Sequence, residues 1–246
     1  MAEPLGRQFV NYRFLQLDPR WRHLPADARA AAKQEFAAML ESFRHEARVF
    51  SYSTVGTRGD CDMMLWCIGD SPETFQRLHS ALHGTALGMY LSAPYSYLAM
   101  TRKSEYIDAH AHPGQDGLRL RIRPSEMRYL FVYPFVKTRE WYLLPAETRQ
   151  LAMDEHIRVG HEYPSVKLNT TYSFGIDDQE FVVAFETNQP GDFLDLVMAL
   201  RKTDSSLYTL RDVPIFTCIR RPVAEALDLL DGTGVAKPAA IPQSVS

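Results

Sequence analysis

One order of secondary-structure elements occurs twice along this chain, and that repetition restricts the fold more than any single segment does. In each half, the hydrophobic pattern predicts the order β-α-β-β-α-β. The first half predicts strands at 8–17, 49–55, 61–68 and 95–101 and helices at 25–47 and 71–90. The second half predicts strands at 128–137, 167–175, 180–187 and 213–220 and helices at 145–163 and 191–202. Corresponding elements lie roughly 120 residues apart, so the two halves support each other as copies of one unit.

Each copy has the element order of a ferredoxin-like unit, a four-stranded antiparallel sheet with two helices on one face. The uncovered sheet faces must be buried. We therefore expect an α+β fold in which two tandem ferredoxin-like repeats pack their antiparallel sheets together or close them into a barrel. We divide the chain into an N-terminal repeat (1–104), an inter-repeat loop (105–126), a C-terminal repeat (127–228) and a tail (229–246). The tail is rich in Pro, Ala and Ser, which predicts disorder.

The overall charge and apolar content exclude several classes of protein. A formal net charge of −3 and a pI near 6.2 argue against nucleic-acid binding, which needs a concentrated basic face. No apolar run approaches the roughly 18–20 residues that span a bilayer, and the N-terminal segment lacks the apolar core of a signal peptide. Cys61, Cys67 and Cys218 are too few and too scattered for a disulfide framework or a zinc site. These features indicate a cytoplasmic protein.

The strand predicted at 128–137 is apolar on both faces. Alternation gives it an aromatic face that ends in a lysine, formed by Tyr129, Phe131, Tyr133, Phe135 and Lys137. The opposite face carries Leu130, Val132 and Val136, which suit packing under a helix. We expect the aromatic face to line a sheltered cavity between the sheets, beside Tyr133 and Phe135. A buried ammonium at Lys137 needs an anionic partner, and a ligand could supply it.

The helix predicted at 145–163 carries a histidine between small residues. Ala152, His156, Gly160 and Tyr163 recur at helical spacing on one stripe. Ala152 and Gly160 leave room for a large flat group to approach the imidazole. A lone histidine on an amphipathic helix is more often a hydrogen-bonded boundary residue, so this pattern alone leaves both interpretations open.

The inter-repeat loop has a basic pattern at its C-terminal end. Arg119, Arg121 and Arg123 alternate with apolar residues there. The pattern suits a solvated linker or an edge strand, and it equally suits a positive rim that binds carboxylates. The loop also holds His110 and His112.

Two adjoining motifs of the second half carry a family resemblance. Tyr-Pro-Phe-Val-Lys and Glu-Trp-Tyr-Leu-Leu-Pro lie in the segment 133–145, and a helix histidine follows Trp141 by 15 positions. With Ser-Phe-Gly-Ile-Asp-Asp at 173–178 and Val-Pro-Ile-Phe at 213–216, they make the chain resemble the chlorite dismutase-like haem protein superfamily over about residues 8–221. It looks most like the coproheme decarboxylase branch, of the actinobacterial type.

This resemblance implies an activity and a set of site residues. The branch converts Fe-coproporphyrin III (coproheme), which is both substrate and cofactor, into haem b by oxidative decarboxylation with hydrogen peroxide. His156 corresponds to the histidine that binds the iron, which places haem binding in the C-terminal repeat. Tyr133 corresponds to a tyrosine that becomes a radical and attacks the propionates. Lys137 and Trp141 correspond to residues near the reacting propionate.

Other candidate contacts rest on less specific matches. In the actinobacterial type, a histidine of the inter-repeat loop deprotonates peroxide, and His110 or His112 would be suited to this; the alternative is that both are surface histidines. Candidate cofactor contacts are Arg119, Arg139, Arg201 and Ser205. For Arg139 and Arg201, ordinary surface ion pairs are the alternative.

One departure bears on the choice among activities. Chlorite dismutases have a distal arginine about 12–13 residues after the iron-binding histidine, and other decarboxylases have a glutamine there. This chain has Leu168 and Asn169. The departure disfavours a chlorite dismutase or a peroxidase-like enzyme, and a non-catalytic haem-binding protein is a third alternative. The resemblance further implies a homopentamer and transient contact with a ferrochelatase.

Overall fold

The computed structural model describes residues 6–106 and 121–234 of the chain. Its strands are β1 (Phe9–Leu17), β2 (Ala47–Ser53), β3 (Met63–Gly69), β4 (Leu91–Met100), β5 (Tyr129–Lys137), β6 (Val166–Tyr172), β7 (Phe181–Thr187), β8 (Thr209–Arg211) and β9 (Phe216–Arg220). Its α-helices are α1 (Ala26–Ser42), α2 (Pro72–His83), α3 (Arg139–Leu143), α4 (Ala146–His161), α5 (Pro190–Leu200) and α6 (Val223–Leu229). In this part of the chain, no helix has the length and apolarity needed to cross a membrane.

The two repeats form two antiparallel sheets that join into one ring. The N-terminal sheet has the order β4-β1-β3-β2, and the C-terminal sheet has the order β6-β7-β5-β9. Strand β4 pairs with β6 and β2 pairs with β9, so the ring closes at both seams. The registered pairs at the seams are Met100–Tyr172, Tyr52–Arg220 and Ser53–Ile219. The predicted α+β fold of two ferredoxin-like repeats is confirmed.

The interior of the ring is one hydrophobic core, to which both sheets contribute. Leu130 and Val132 of β5 lie there, with Tyr12 and Trp66 from the opposite sheet. The prediction that this aliphatic face of β5 packs under a helix was therefore wrong. Both faces of the strand are apolar, and alternation distinguishes them without showing which one turns inward.

The aromatic face of β5 lies instead under the helices of the C-terminal repeat. Phe131 stacks on Phe193 of α5 with ring centroids 4.0 Å apart, and Tyr133 belongs to the same cluster. Leu196 of α5 completes this contact on the helix side. The candidate site is therefore between a sheet and its helices, and not between the two sheets.

The C-terminal helix α6 packs against the N-terminal repeat. Leu230 and Asp231 follow it; Leu230 is buried, and the side chain of Asp231 is 0% exposed. The carboxylate of Asp231 accepts hydrogen bonds from Lys33 at 2.7 Å, from Arg29 at 3.1 Å and from the indole of Trp21 at 3.1 Å. The predicted start of the disordered tail, at residue 229, is therefore too early in the chain. Asp231 lies beyond it and forms a hydrogen bond with the buried side chain of Lys33.

We expect Asp231→Asn to lower the free energy of unfolding by about 3 kcal/mol, because it leaves buried cations short of a partner. Burial raises the pKa of Asp231, but hydrogen bonds from Lys33, Thr233 and Trp21 outweigh it and bring the pKa down to about 2. A carboxyl group whose pKa is lower in the folded than in the unfolded state stabilises the fold at pH values above its unfolded-state pKa. That contribution should therefore disappear between about pH 4 and pH 2. Urea unfolding across this range measures both effects.

Asp228→Asn is the matched control for this prediction. Asp228 also pairs with Lys33, at 3.1 Å, but its side chain is 44% exposed. Its replacement should cost about 1 kcal/mol or less. Equal losses in the two variants would contradict the proposed role of Asp231.

Candidate functional site

Ser205 connects the strand and the helix that carry the candidate site. It lies in a single 3-10 turn, Asp204–Tyr208, and is 1% exposed. Its hydroxyl oxygen lies 3.0 Å from Nδ1 of His156 on α4. Its carbonyl oxygen accepts a hydrogen bond of 2.7 Å from Nζ of Lys137 at the end of β5. One residue therefore brings Lys137 and His156 together.

His156 has the properties of a neutral ligand. Burial, with the positive charge of Lys137, lowers the pKa of its imidazole to about 4, although Glu155 opposes this. Nδ1 is engaged with Ser205, whereas Nε2 makes no hydrogen bond to any described residue. A Cβ built on Gly160, one turn further along α4, would meet no atom within 4 Å. The helix therefore presents an imidazole beside open space, as a flat ligand would require.

Lys137 is a buried cation without a carboxylate partner in the described part of the chain. It is 9% exposed, and its Nζ lies 4.3 Å from the ring centroid of Trp141. Burial lowers the pKa of its ammonium to about 8, while the negative charge of Glu180 opposes the shift. Glu180 itself accepts a hydrogen bond from the backbone N–H of Lys137 at 2.8 Å. The ammonium remains available to an anionic group that enters from outside.

Trp141 forms one wall beside this lysine. The residue lies on α3 and is buried. Its ring packs against Tyr208 and Tyr106, with centroids 5.4 and 6.4 Å away. The carbonyl of Tyr106 accepts a hydrogen bond of 3.3 Å from the side chain of Gln150 on α4. The wall is therefore an aromatic cluster that is attached to the helix of His156.

Tyr133 presents a neutral phenol on the same face of β5 as Lys137. It is 9% exposed and lies nearly parallel to Phe185, with centroids 6.0 Å apart. Burial raises the pKa of the phenol, and Asp212 adds to the rise whereas Arg201 opposes it. Arg201 and Asp212 form an ion pair with each other. The raised pKa keeps the phenol protonated at neutral pH.

Among the remaining predicted contacts, Arg139 is the one that the structure describes, and it is not brought into this group. Arg139 is exposed on α3 and forms no ion pair or hydrogen bond with the residues that the structure describes. His110, His112 and Arg119 lie outside the described residues.

The segment in which a chlorite dismutase has its distal arginine forms part of β6 in this chain. Leu168 lies opposite Phe185 in the β6–β7 register, and residues opposite each other share a face. Leu168 therefore faces the side of Phe185 and Tyr133. Asn169 points the other way and donates a hydrogen bond to buried Glu186 at 2.8 Å. On the site face, an apolar side chain stands where the resemblance led us to look for a cation.

Two residues of this region were not found from the sequence. Thr203 lies 3.2 Å from the hydroxyl of Ser205, and Glu180 accepts hydrogen bonds from Lys137 and from the phenol of Tyr142. Both belong to irregular segments, where no periodicity marks the direction of a side chain. The Ser-Phe-Gly-Ile-Asp-Asp motif that precedes Glu180 is the one nearby signal.

The described part of the N-terminal repeat does not reproduce this site. Strands β1 and β5, like helices α1 and α4, begin 120 residues apart, and Trp21 matches Trp141. At the same offset, Phe36 corresponds to His156 and is 1% exposed. Arg13 and Leu17 likewise take the places of Tyr133 and Lys137. At these positions, only the second copy combines an imidazole, a phenol and an ammonium.

The side chains of the candidate site suit an iron ion that is already coordinated by a porphyrin. Within the described ranges, no three His, Cys, Asp or Glu side chains come together to hold a bare metal ion. A porphyrin supplies four nitrogen donors and needs one axial imidazole. The aromatic and aliphatic surroundings suit its macrocycle, and Lys137 suits a carboxylate at its edge.

Comparisons with known proteins show which family the sequence and the fold resemble. A sequence model of the family described as Chlorite dismutase matches residues 29–221. The chain is 34% identical over 167 residues to the coproheme decarboxylase of Mycolicibacterium smegmatis, and the aligned region covers 68% of this chain and 70% of that protein. A mutant chlorite dismutase from Candidatus Nitrospira defluvii superposes with a TM-score of 0.83 at 26% identity, covering 91% of this chain and 95% of that one. A haem-binding protein from Thermus thermophilus shares the fold, with a TM-score of 0.80 at 24% identity over 94% and 99% of the two chains.

Proposed function

The chain belongs to the chlorite dismutase family, and we propose that it is a coproheme decarboxylase that uses hydrogen peroxide to convert Fe-coproporphyrin III into haem b. The observation that carries this proposal is the convergence of Lys137 and His156 on Ser205, beside Trp141. In this proposal, the neutral imidazole, the buried ammonium and the phenol all contact one iron porphyrin that carries carboxylate side chains. The similarity to the Mycolicibacterium smegmatis enzyme supports the same activity.

The reaction removes two propionate carboxylates, one after the other. In each step a C–H bond and the C–C bond to the carboxylate break, a vinyl double bond forms, and carbon dioxide leaves. The two electrons released reduce one hydrogen peroxide to two water molecules. The bound iron porphyrin supplies the redox chemistry that activates the peroxide.

In this proposal, Tyr133 acts as the hydrogen-atom acceptor. The peroxide-derived oxidant would take one hydrogen atom from the phenol, and the phenoxyl radical would regain one from the propionate carbon next to the ring. The carbon radical would then pass one electron to the same oxidant as the C–C bond breaks, the vinyl double bond forms and carbon dioxide leaves. Its buried position keeps the phenol protonated and orients it, which favours reaction with one neighbouring group. Lys137 lies four residues further on the same strand face, roughly 13 Å in extended spacing, and its long side chain holds the carboxylate.

The pH dependence of binding tests the role of Lys137. We expect the affinity for metal-free coproporphyrin III to fall as the pH rises through about 8, because the ammonium loses its proton there. Lys137→Met should weaken binding about tenfold at pH 7 and remove this pH dependence, since a charge-assisted hydrogen bond is lost. Fluorescence titration between pH 6.5 and 9.5 measures the dissociation constant. Arg44→Met, on the surface of the N-terminal repeat, is the control for net charge, and equal behaviour of the two variants would contradict the assignment.

We place the base that deprotonates peroxide at His110 or His112. The support is the resemblance alone, together with the suitability of an imidazole near neutral pH. If the assignment is right, one of the variants His110→Ala and His112→Ala slows the reaction with peroxide by about 10²-fold or more, and the other does not. Stopped-flow absorbance of the coproheme complex makes this measurement, and unchanged rates in both variants would exclude the pair.

For the propionates, Arg201 stays a prediction as an anchor, and its guanidinium forms an ion pair with Asp212. Arg119, Arg139 and Ser205 stay predictions as cofactor contacts.

The activity itself is tested by adding coproheme and titrating peroxide. We expect two successive mass losses, each of one carbon dioxide and two hydrogen atoms, with about one peroxide consumed per step by the balance above. A single spectroscopic change with no loss of mass would favour a haem-binding protein without catalysis. Family membership makes chlorite dismutation the second candidate, and rapid oxygen release from chlorite would favour it. The apolar Leu168 on the site face argues against that outcome.

We propose a homopentamer on the family resemblance, with support from the surface of the C-terminal repeat. Large exposed apolar side chains are concentrated on and near its helices, at Leu143, Leu151, Leu194, Met198 and Leu207. Such a concentration is typical of a surface that is covered in an assembly. Mass photometry gives the subunit number. We further propose that the protein acts in the cytoplasm and receives coproheme by transient contact with a ferrochelatase.

A further inference from the structure

The imidazole of His156 begins a chain of hydrogen bonds that ends on the backbone. Its Nδ1 lies 3.0 Å from the hydroxyl oxygen of Ser205, which lies 3.2 Å from the hydroxyl oxygen of Thr203. Thr203 in turn donates to the carbonyl of Leu200 at 2.8 Å. Ser205 and Thr203 are 1% and 3% exposed, so bulk water does not compete for these groups.

The carbonyl at the end of this chain sets the direction of every proton in it. A carbonyl oxygen only accepts, so the single hydroxyl proton of Thr203 is directed at Leu200. The oxygen of Thr203 then accepts from Ser205, which uses the single proton of that serine. The oxygen of Ser205 is left to accept from His156, which places the imidazole proton on Nδ1. Nε2 keeps its lone pair.

The opposite direction would be unfavourable for the proposed function. If Ser205 donated to Nδ1, its proton would no longer reach Thr203, so either the 3.2 Å contact between the two hydroxyl groups or the 2.8 Å hydrogen bond from Thr203 to Leu200 would be lost. The imidazole proton would then move to Nε2, which is the nitrogen that a bound iron needs. The two directions are therefore distinguished by the tautomer of one side chain.

The turn that carries the two hydroxyl groups is held in place independently. The side chain of Glu155, next to His156 on α4, accepts a hydrogen bond of 2.9 Å from the backbone N–H of Asp204. Lys137 holds the carbonyl of Ser205 from the side of the sheet. The hydroxyl of Ser206 is directed elsewhere, to the carbonyl of Arg201 at 2.9 Å.

We infer that Ser205 and Thr203 are positioning residues that hold His156 in its Nδ1–H tautomer and so prepare Nε2 to bind iron. The importance of Nε2 rests on the proposed function, whereas the tautomer does not. The acceptor for Nδ1 is a neutral hydroxyl and not a carboxylate, so the imidazole keeps its own proton and donates less charge to the metal than a carboxylate-paired histidine does.

Nuclear magnetic resonance of the full chain without porphyrin tests the tautomer directly. With ¹⁵N-labelled histidine at pH 7.5, we expect Nδ1 of His156 to be protonated and Nε2 to be unprotonated. Thr203→Val keeps the shape but removes the acceptor for Ser205, so a measurable share of His156 should change to the Nε2–H tautomer. Thr203→Ser should restore the native spectrum, and Ser206→Ala should leave it unchanged. Nε2–H as the main form in the native protein would overturn the inference, as would an unchanged tautomer in Thr203→Val.

The iron-loaded protein gives a second readout. In Ser205→Ala, Nδ1 loses its acceptor, so the iron–histidine stretching band of the ferrous complex should move to lower frequency. Iron porphyrin should also bind about tenfold more weakly, as is typical when an outer partner of a ligand is removed. An unchanged band in Ser205→Ala would overturn the inference. If His156 does not bind iron, the band is absent from the native protein too. The tautomer measured without porphyrin then still decides whether Ser205 and Thr203 hold His156 in its Nδ1–H form.

Discussion

Replacing Tyr133 with phenylalanine should abolish decarboxylation and leave the porphyrin bound. The substitution removes only the hydroxyl, so the ring keeps its packing against Phe185. If the phenoxyl radical takes the hydrogen atom from the propionate, its loss should slow carbon dioxide release by roughly 10³-fold or more, about 4 kcal/mol of the activation barrier. The measurement is product mass after peroxide is added to the coproheme complex, together with the dissociation constant of coproheme.

Tyr129→Phe is the matched control for this experiment. Tyr129 lies on the same face of β5, at the opposite end of the strand from Lys137, and packs at the border of the same cluster. Its loss should change the rate by less than about tenfold, as expected for a side chain that only packs. Normal turnover in Tyr133→Phe, or equal losses in both variants, would remove the proposed radical role.

Replacing His156 with alanine should have the second large effect, and it should act on the iron and not on the macrocycle. We expect the Soret band of the coproheme complex to shift and its dissociation constant to rise by more than the roughly 10–100-fold that is typical of outer partners. Metal-free coproporphyrin III should bind to this variant nearly as well as to the native protein, because Lys137 and the apolar walls remain. Absorbance and fluorescence titrations compare the two ligands.

His161→Ala is the control on the same helix. His161 is exposed at the end of α4, and five residues along a helix place it on another side from His156. An unchanged spectrum in His156→Ala, or the same shift in both variants, would remove the ligand assignment. Weak binding of the metal-free ligand in His156→Ala would indicate a collapsed cavity and not a lost bond to iron.

The order of strands and helices could be predicted from the sequence because the same order occurs in both repeats, so that each repeat supports the assignment of the other. Alternation of apolar residues identified β5 and its two faces, and helical spacing identified the stripe that contains His156. The same reasoning placed the wrong face of β5 in the core, because Leu130 and Phe131 are equally able to be buried. Which face turned inward depended on how the two sheets joined, and no local pattern carries that information.

Ser205 was a candidate cofactor contact from the sequence, but its hydrogen bonds to His156 and Lys137, and the role of Thr203, could not be predicted for a related reason. Thr203 and Ser205 lie between a helix and a short strand, in a turn that is held by contacts from α4 and β5. Asp231 likewise lies in a segment of tail-like composition, yet its partners are Lys33 and Trp21, about two hundred positions earlier in the chain. Hydrogen bonds between distant segments determine both places, and single-sequence patterns are local.

Phe36 gives the duplicated architecture an evolutionary meaning. A chain that carries two copies of one unit needs only one of them to keep a reactive centre, and the other is released from chemical constraint. Buried Phe36 takes the place that His156, our proposed iron ligand, has in the second copy. If the proposed function is right, we expect the first half to tolerate exchanges between apolar residues of similar volume at this position, whereas the second half should lose iron binding.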